Sequence, residues 1–383
     1  MTDKELLSRT ISYLRFPLTV AVVYIHFNIS RKGISVHGVN YGLNNPDWYV
    51  YLINLISYVI ASIAVPLFFF ISGYLFFKQN SFNMSIFRQK LNSRIKSLVI
   101  PFFLWNLIAI IFQAVRLLPV FSSLFPGAYK TEIKFSIVRL FNTFFNNNLQ
   151  NGIFVSPVEY TMTETINEAY PIDIPLWYIR DLMVMVVISP LVYWLVKKLR
   201  VSYIIIIGAF WCINKVFFPE GGYIVMLSTA LFFFSWGSYF GINGINFVVK
   251  MGKFSRFIFL YMLLAIADMF TIYTPYNFII HNIGILIGIV VVISLSANRL
   301  ANGRIRVNNL LLTSTFFVYA LHKLIIDDVA KILFSVSHLP DNTYVMLVFY
   351  LMIPIITISL CIGLYYMLNR FIPSVSAILT GGR

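Results

Sequence analysis

Ten long apolar stretches, separated by short charged segments, constrain this chain more than any other feature. The uncharged runs cover residues 16–30, 48–77, 97–115, 182–196, 201–214, 221–249, 257–267, 269–298, 307–322 and 342–369. A membrane-spanning helix needs about 20 mostly apolar residues, and the shorter runs reach that length when one boundary charge is included. The pattern predicts an all-α polytopic membrane protein with about ten transmembrane helices, near residues 12–30, 50–77, 97–118, 174–196, 201–218, 222–241, 255–273, 276–297, 311–335 and 343–369.

The composition excludes two broad classes of protein. Apolar residues make up 59% of the 383 positions and charged residues only 11%, whereas about a quarter of an average soluble protein is charged. So few charges cannot cover a water-soluble surface, and so much apolar sequence excludes intrinsic disorder. We therefore expect residues 1–383 to form a single integral-membrane domain in the lipid bilayer.

Basic residues are concentrated in alternate connecting segments. With the N-terminus in the cytoplasm, the inner segments hold 19 of the 29 Lys and Arg residues but only two acidic ones, Asp3 and Glu5. Cytoplasmic loops of membrane proteins carry this kind of positive excess. The sequence therefore predicts that both termini are cytoplasmic. The net charge of +15 is then a signal of topology and of attraction to the anionic inner leaflet, so no nucleic-acid partner is needed to explain it.

One connection is much longer than the others. Residues 119–173 are predicted to form an extracytoplasmic loop with an acidic run near Glu159–Glu168. Loops of this length are more often functional or disordered than idle. We expect this loop to face an acceptor substrate.

Two ionisable residues on the first span have an informative spacing. Charged groups inside a membrane cost about 2.5–3.5 kcal/mol each on insertion scales, so they are candidates for function. Arg15 and His26 are eleven residues apart, which places them on one helix face about 16 Å apart along the axis. An arginine at that position can hold a phosphorylated donor, and a histidine can act as a general base. From spacing alone, a snorkelling arginine and a hydrogen-bonded core histidine remain an alternative.

Further candidates lie on the fourth and ninth predicted spans. Arg180 and Asp181 follow Trp177 at the outer start of the fourth span. They form either part of a site or a local ion pair within an interfacial aromatic belt. His322 lies near the middle of the ninth span, where it either takes part in a site or hydrogen-bonds a neighbouring helix.

The remaining ionisable residues point to no particular chemistry. Asp268 lies in an otherwise apolar span and His281 near the start of the next one. Asp328 and Lys331 are three residues apart, a spacing that favours a local ion pair. The five histidines and two cysteines show no metal-ligand spacing. No metal is therefore expected.

Five strings taken together point to a known family. They are Arg15-FPLTVAVVYI-His26, VPLFFFISGYLF at residues 65–76, the basic stretch from Arg94 to Pro101, LWYIRDL at residues 176–182, and YALHKLI at residues 319–325. The first is similar to an Arg-x10-His signature on a first helix, and the five follow one another over most of the chain. Their order and content resemble the membrane acyltransferase-3 family, whose members O-acylate cell-surface glycans of bacteria.

The resemblance implies a donor, an acceptor and a catalytic residue. The donor would be acyl-CoA, usually acetyl-CoA, taken from the cytoplasm. The acceptor would be a hydroxyl of a cell-surface or lipid-linked saccharide beyond the plasma (inner) membrane. His26 would be the essential histidine and Arg15 would support the donor or the first-helix site.

The same resemblance extends to residues with lesser roles. Ser72 and Gly73 would lie in the family's signature turn, and Arg94 and Lys96 would contact donor phosphates. Substrate-contacting or supporting roles are expected for the remaining candidates, which are Trp177, Arg180, Asp181 and His322.

The chain departs from some members of the family, and one other function stays open. It ends just after the tenth predicted span, so we expect a stand-alone form without an appended SGNH-type esterase domain.

The alternative function is a transporter or flippase for a polysaccharide or a lipid-linked saccharide. Ten spans with intramembrane charges fit that function equally well, but no internal repeat of the kind found in transporters is visible. The sequence also leaves open whether the protein is a homo-oligomer.

Overall fold

The protein folds into a bundle of α-helices. The computed structural model describes the chain except for residues 31–33, 37–38, 42–44, 79–81, 119–131, 149, 156–169, 220, 338–341 and 383. The first eight helices are α1 Asp3–His26, α2 Asp47–Asn54, α3 Ala64–Phe77, α4 Met84–Arg94, α5 Ile100–Arg116, α6 Ile137–Phe145, α7 Trp177–Val187 and α8 Ser189–Leu199. The next eight are α9 Val201–Phe217, α10 Tyr223–Ile242, α11 Phe247–Gly252, α12 Ile258–Thr271, α13 Asn277–Ala301, α14 Asn309–Ser337, α15 Thr343–Phe371 and α16 Pro373–Thr380.

Short non-α segments join several of these helices. A π-helical segment at Leu55–Ile60 and a 3-10 turn at Ala61–Ile63 connect α2 to α3, and a second π-helical segment at Ile95–Val99 connects α4 to α5. Two small antiparallel hairpins pair β1 (Ile34–Val36) with β2 (Val39–Tyr41) and β3 (Glu132–Ile133) with β4 (Phe154–Val155).

Helix α1 lies at the centre of the bundle. It packs against α3, α11, α13, α14 and α15. Its buried residues up to Val22 belong to one large apolar cluster, and those from Val23 onward belong to a second cluster shared with α14 and α15. Of the polar residues in the middle and second half of α1, Thr10 and Thr19 are therefore buried, and Arg15 and His26 are partly buried.

Helices α3 and α10 approach each other at backbone distance. A Cβ atom at Gly237 would lie 1.8 Å from the Phe70 carbonyl oxygen, and one at Gly73 would lie 2.0 Å from the Phe234 carbonyl oxygen. Only glycine fits at such contacts, which are typical of helix pairs in membranes. Ser72 and Gly73, expected to lie in the family's signature turn, are instead inside the continuous helix α3, where Gly73 lets α10 approach closely.

The predicted long loop does not stay outside the bundle. In its described part, Ser136 caps α6 and the side-chain hydroxyl of Thr143 accepts a hydrogen bond from the Ile153 amide. The Asp173 amide then donates to Asn106 Oδ1 at 3.2 Å. Asn106 precedes the end of α5 by ten residues, or about 15 Å along the helix. The loop therefore returns into the bundle, because a buried backbone amide needs an acceptor and Asn106 supplies one.

Asp173, at this point of return, is fully buried. Its two carboxyl oxygens have no hydrogen-bond partner among the residues described by the structure. Burial raises the pKa of this carboxyl well above its usual range, because the charged form loses its hydration. The acidic run at residues 159–168 lies outside the described residues.

Each predicted span coincides with helix in the structure, but not each is a full-length span. In the described part of the chain, seven helical runs are long and apolar enough to cross a membrane, and the bent pair from Ile174 to Leu199 makes an eighth. The pair bends by 63° where Pro190, in the first turn of α8, removes a backbone donor. The other two predicted spans are the 17-residue α9 and the 14-residue α12. An all-α polytopic architecture is confirmed, and the number of ten crossings stays a prediction.

The contact between α3 and α10 can be tested by adding one methyl group. We expect Gly237→Ala to destabilise the protein by about 1–3 kcal/mol, because the new methyl collides with a backbone carbonyl and forces the helices apart. The readout is the unfolding temperature of the purified protein in detergent. Gly363→Ala in α15 is the matched control, since nothing lies within 4 Å of a Cβ at that position. Equal unfolding temperatures for the two variants would contradict the packing described here.

Candidate functional site

A cavity of about 150 Å³ lies against the middle of α1. Arg15 and Thr19 of α1, Ser72 of α3, Arg94 at the end of α4 and Tyr178 of α7 all contribute to its lining. Arg15 and Thr19 are four residues apart and so share one face of the helix. The remaining lining is mainly apolar and comes from α3, α7, α10 and α14. The cavity is therefore an apolar recess with cationic groups on its wall.

The two arginines of this cavity have no partner in the part of the chain that the structure describes. Arg15 and Arg94 are partly buried, and neither makes a hydrogen bond or an ion pair with a described residue. The lining residues include no Asp or Glu. A guanidinium presents several donors in a rigid fork that matches phosphate and carboxylate oxygens. The cavity is therefore suited to an anionic ligand.

Two histidines meet outside the cavity lining, and one of them, His322, lies beside the lining residue Tyr319 with 6.4 Å between ring centroids. The rings of His26, the last residue of α1, and His322 of α14 lie 5.3 Å apart between centroids. His322 is fully buried and its Nδ1 lies 3.1 Å from the Val318 carbonyl oxygen. A carbonyl can only accept, so Nδ1 carries the proton and Nε2 of neutral His322 carries a lone pair. That nitrogen has no hydrogen-bond partner among the described residues, whereas His26 is only partly buried.

Hydroxyl groups of the cavity lining make hydrogen bonds between neighbouring helices. Ser72 Oγ lies 2.9 Å from the hydroxyl oxygen of Tyr178, and the Tyr319 hydroxyl donates to the Pro175 carbonyl oxygen. These bonds fix the start of α7 against α3 and α14. Ser72 lines the cavity, and so do Tyr178 and Tyr319, which the sequence analysis did not single out.

Arg180 and Asp181 lie outside the cavity, although both flank lining residues of α7. Arg180 Nε donates to Asp181 Oδ1 at 2.8 Å, and both side chains are buried. Arg180 Nη1 also donates to the Phe145 carbonyl oxygen at 2.7 Å, and the guanidinium lies over the Tyr223 ring. The pair therefore holds α6 and α10 against α7. Trp177 contacts the Phe69 ring of α3.

Comparison with known proteins assigns the family. A model of a family described as an acyltransferase domain matches residues 9–366, which is nearly the whole chain. The chain belongs to the acyltransferase-3 family. The acyltransferase is also 25% identical over 245 residues to the succinoglycan biosynthesis protein ExoH of Rhizobium meliloti (strain 1021). That alignment covers 64% of this chain and 56% of the relative, so the chain spans little more than half the length of that protein. No solved structure matches.

Membership of this family confirms the resemblance seen in the sequence. It also favours acyl transfer over the transporter or flippase left open there, because the matched domain is described as an acyltransferase. The match does not identify the donor, the acceptor or the catalytic residue.

The two residues predicted to contact donor phosphates lie in different environments. Arg94 lines the cavity, whereas Lys96 is exposed and lies outside the lining. Lys90 lies one helical turn before Arg94 and donates to the Phe76 carbonyl oxygen, a contact that sequence reasoning missed. Residues four apart on a helix share a face, and this spacing is the signal that links Lys90 to Arg94.

Other ionisable residues of the acyltransferase are paired. Asp268 Oδ2 lies 2.7 Å from His281 Nδ1, and Asn277 donates to the other carboxyl oxygen. Asp328 pairs with Arg116 at the end of α5. The salt bridge of Asp328 is thus made with Arg116 and not with Lys331, because α5 packs close to this part of α14 and brings a guanidinium to the carboxylate. Within the described residues, no group of three His, Cys, Asp or Glu side chains could hold a metal ion.

If the buried Arg180–Asp181 pair anchors the helices, replacing Asp181 should destabilise the protein more than replacing the exposed Asp327. We expect Asp181→Ala to lower the unfolding free energy by about 3–5 kcal/mol, because it leaves the buried Arg180 charge uncompensated. Asp327→Ala is the matched control, since Asp327 pairs with Lys323 at 2.8 Å but is 53% exposed. An exposed pair of this kind contributes about 0.2–1 kcal/mol. Thermal unfolding in detergent measures both, and equal losses would show that the Arg180–Asp181 pair is not an anchor.

Proposed function

We propose that this acyltransferase moves an acetyl group from acetyl-CoA in the cytoplasm to a hydroxyl of a cell-surface or lipid-linked saccharide. Family membership supports the transfer of an acyl group, and the relative named for succinoglycan biosynthesis supports a saccharide acceptor. The concentration of basic residues on alternate loops supports a bacterial inner-membrane protein with both termini in the cytoplasm.

The observation that carries the donor assignment is the pair of unpartnered arginines in one cavity. Arg15 and Arg94 offer two cations to a ligand, and a CoA thioester carries phosphates that such groups bind. The cavity of about 150 Å³ is large enough for a slender part of the donor only. In this proposal it takes a phosphate-bearing part of the donor, held by Arg15 and Arg94, while the acyl end points towards His26.

The proposed reaction uses His26 as a general base. His26 removes the proton from the acceptor hydroxyl as the hydroxyl oxygen attacks the thioester carbonyl carbon. The carbon–sulfur bond then breaks, CoA leaves as a thiolate, and protonated His26 returns the proton to the sulfur. The competing route transfers the acyl group to the histidine first and to the hydroxyl second.

His322 has a positioning role in this proposal. Its ring packs beside that of His26, and its tautomer is fixed by the Val318 carbonyl. A second charge at this distance would be unfavourable, so neutral His322 allows His26 alone to take up the proton.

Removal of the proposed base is the primary test. His26→Ala should lower acetyl transfer by about 10²–10⁴-fold, which is the usual contribution of general-base catalysis. The assay follows labelled acetyl from acetyl-CoA into envelope glycan, using purified protein that elutes as the wild type does. Tyr24→Phe, two residues away on α1, should retain transfer, because the Tyr24 hydroxyl only donates to the Leu351 carbonyl oxygen. Wild-type rates in His26→Ala would refute the assignment.

The donor assignment gives a second prediction. Arg94→Ala should raise the KM for acetyl-CoA by about tenfold or more, since a charge-assisted hydrogen bond contributes about 1.5–3 kcal/mol. Lys96→Ala, two residues along the chain but exposed, should change that KM much less. Titration of acetyl-CoA at fixed acceptor concentration separates the two, and equal effects would mean that the cavity is not the donor site.

A further inference from the structure

A cluster of uncharged polar side chains lies directly beyond the histidine pair. Asn28 and Ser30 follow the end of α1, and Asn54 ends α2. Asn28 Nδ2 donates to Asn54 Oδ1 at 3.1 Å, and the Ser30 hydroxyl lies within hydrogen-bond distance of Oδ1 of both asparagines. Ser30 is 6% exposed and Asn54 3% exposed. This cluster of Asn28, Ser30 and Asn54 is termed the asparagine cluster below.

The hydrogen bonds of the asparagine cluster fix the orientation of both amides. The Ser30 backbone amide donates to Asn28 at 3.0 Å, and a backbone N–H can only donate, so the receiving atom is Oδ1. The other end of that amide is then Nδ2, a donor, so the atom that it meets on Asn54 is Oδ1. Asn54 Nδ2 is left as a buried donor with no partner among the residues described.

An unused donor in this position calls for a ligand. Buried polar groups are hydrogen-bonded in the great majority of cases, and each exception needs an explanation. Within the asparagine cluster, Asn28 Nδ2 and Oδ1, Asn54 Oδ1 and the Ser30 amide and hydroxyl groups all have partners. Asn54 Nδ2 is therefore the group that an incoming acceptor atom would satisfy.

Helix α1 places the asparagine cluster on the far side of His26 from the cavity. Along this one helix and the residues after it, Arg15 and Thr19 line the cavity, His26 contacts His322, and Asn28 begins the cluster. A donor in the cavity and an acceptor at the asparagine cluster would thus approach the histidine from opposite directions. This arrangement is what transfer between a donor on one side of a membrane and an acceptor on the other requires.

The hydrogen-bonded network of the asparagine cluster is made of uncharged groups, which favours an uncharged ligand. The cluster consists of two amides and a hydroxyl. One helical turn from Asn54, the Ser57 hydroxyl lies 2.7 Å from both the Tyr24 carbonyl oxygen and the Tyr350 hydroxyl oxygen. No Lys, Arg, Asp or Glu makes a hydrogen bond to these residues in the described part of the chain. Amides and hydroxyls pair with sugar hydroxyls, and nothing in the network compensates a charged group.

We propose that Asn28, Ser30 and Asn54 form the acceptor subsite, in which Asn54 Nδ2 donates to a hydroxyl oxygen of an uncharged sugar residue. This inference rests on the proposed acyl transfer to a saccharide and adds the class of sugar that the site accepts. The subsite binds the acceptor and leaves the donor cavity untouched. It therefore affects the KM for the acceptor and not the KM for acetyl-CoA.

The test compares two buried asparagines. Asn54→Leu should raise the KM for the acceptor by about tenfold, as expected for the loss of a hydrogen bond at a desolvated site, with the KM for acetyl-CoA unchanged. Ser30→Ala, a milder change that guards against misfolding of the first variant, should raise the same KM by a smaller factor. Asn214→Leu is the matched control. Asn214 is equally buried, but it lies far from the asparagine cluster in the sequence, and its Nδ2 donates to Ser228 Oγ.

The assay uses the purified full-length protein, acetyl-CoA and a neutral oligosaccharide fraction from the envelope of the strain that carries the gene. An oligosaccharide of the same size that contains a uronic acid serves as a competitor and should compete poorly. The subsite is refuted if wild-type protein transfers acetyl and Asn54→Leu and Ser30→Ala keep the wild-type acceptor KM. It is also refuted if the KM for acetyl-CoA changes equally or if the acidic competitor binds as well. If wild-type protein transfers no acetyl to any acceptor, the proposed function itself fails and the subsite falls with it.

Discussion

The structure depends on one polar helix being held at the centre of an apolar bundle. Helix α1 carries Arg15, Thr19 and His26, and such groups are costly in contact with lipid. The surrounding helices remove this cost by enclosing α1 on several sides. Tight packing of α3 on α10 through Gly73 and Gly237 contributes to that enclosure.

Enclosure of α1 also organises the site along a single axis. The first apolar cluster surrounds the part of α1 that bears the cavity, and the second surrounds the part that follows Val22. The histidine pair lies next to the change from one cluster to the other. Because both His26 and His322 come from helices that border the cavity, their separation from it is set by helix geometry and not by a loop.

Features encoded locally could be read from the sequence. Each predicted apolar span coincides with helix in the structure, and the eleven-residue spacing places Arg15 and His26 on one face. Helix bounds were less accessible. The fourth predicted span is broken at Ile188, and the loop before it reaches back to Asn106. The break and the return of the loop both depend on which backbone groups are hydrogen-bonded after the helices pack. A local sequence pattern does not predict this.

Features that need two distant helices could not be predicted in this way. The contact of His26 with His322 joins residues almost three hundred positions apart, and the pairing of Arg116 with Asp328 similarly requires α5 to lie beside α14. The separation of Arg94 from Lys96 has a different cause. A π-helical segment begins at Ile95 and alters the rotation per residue, so a regular helical wheel does not describe which side chain enters the cavity.

In this protein, the candidate functional polar groups differ from the structural ones in lacking an ion-pair or hydrogen-bond partner among the described residues, and not in their depth in the membrane. Arg180, Asp268 and Asp328 all lie in helices, yet each has a counter-charge or a neighbouring imidazole at hydrogen-bond distance. Their energetic cost is met within the fold. Arg15 and Arg94 have no such partner among the described residues, and Asn54 Nδ2 shares this condition without carrying a charge. Two cations on one side of His26 and one neutral donor on the other side would be satisfied by different ligands, an anionic donor and an uncharged acceptor. Arg15 on α1 and Arg94 on α4 thus leave charged donors on one side of His26, and Asn54 on α2 leaves a neutral donor on the other.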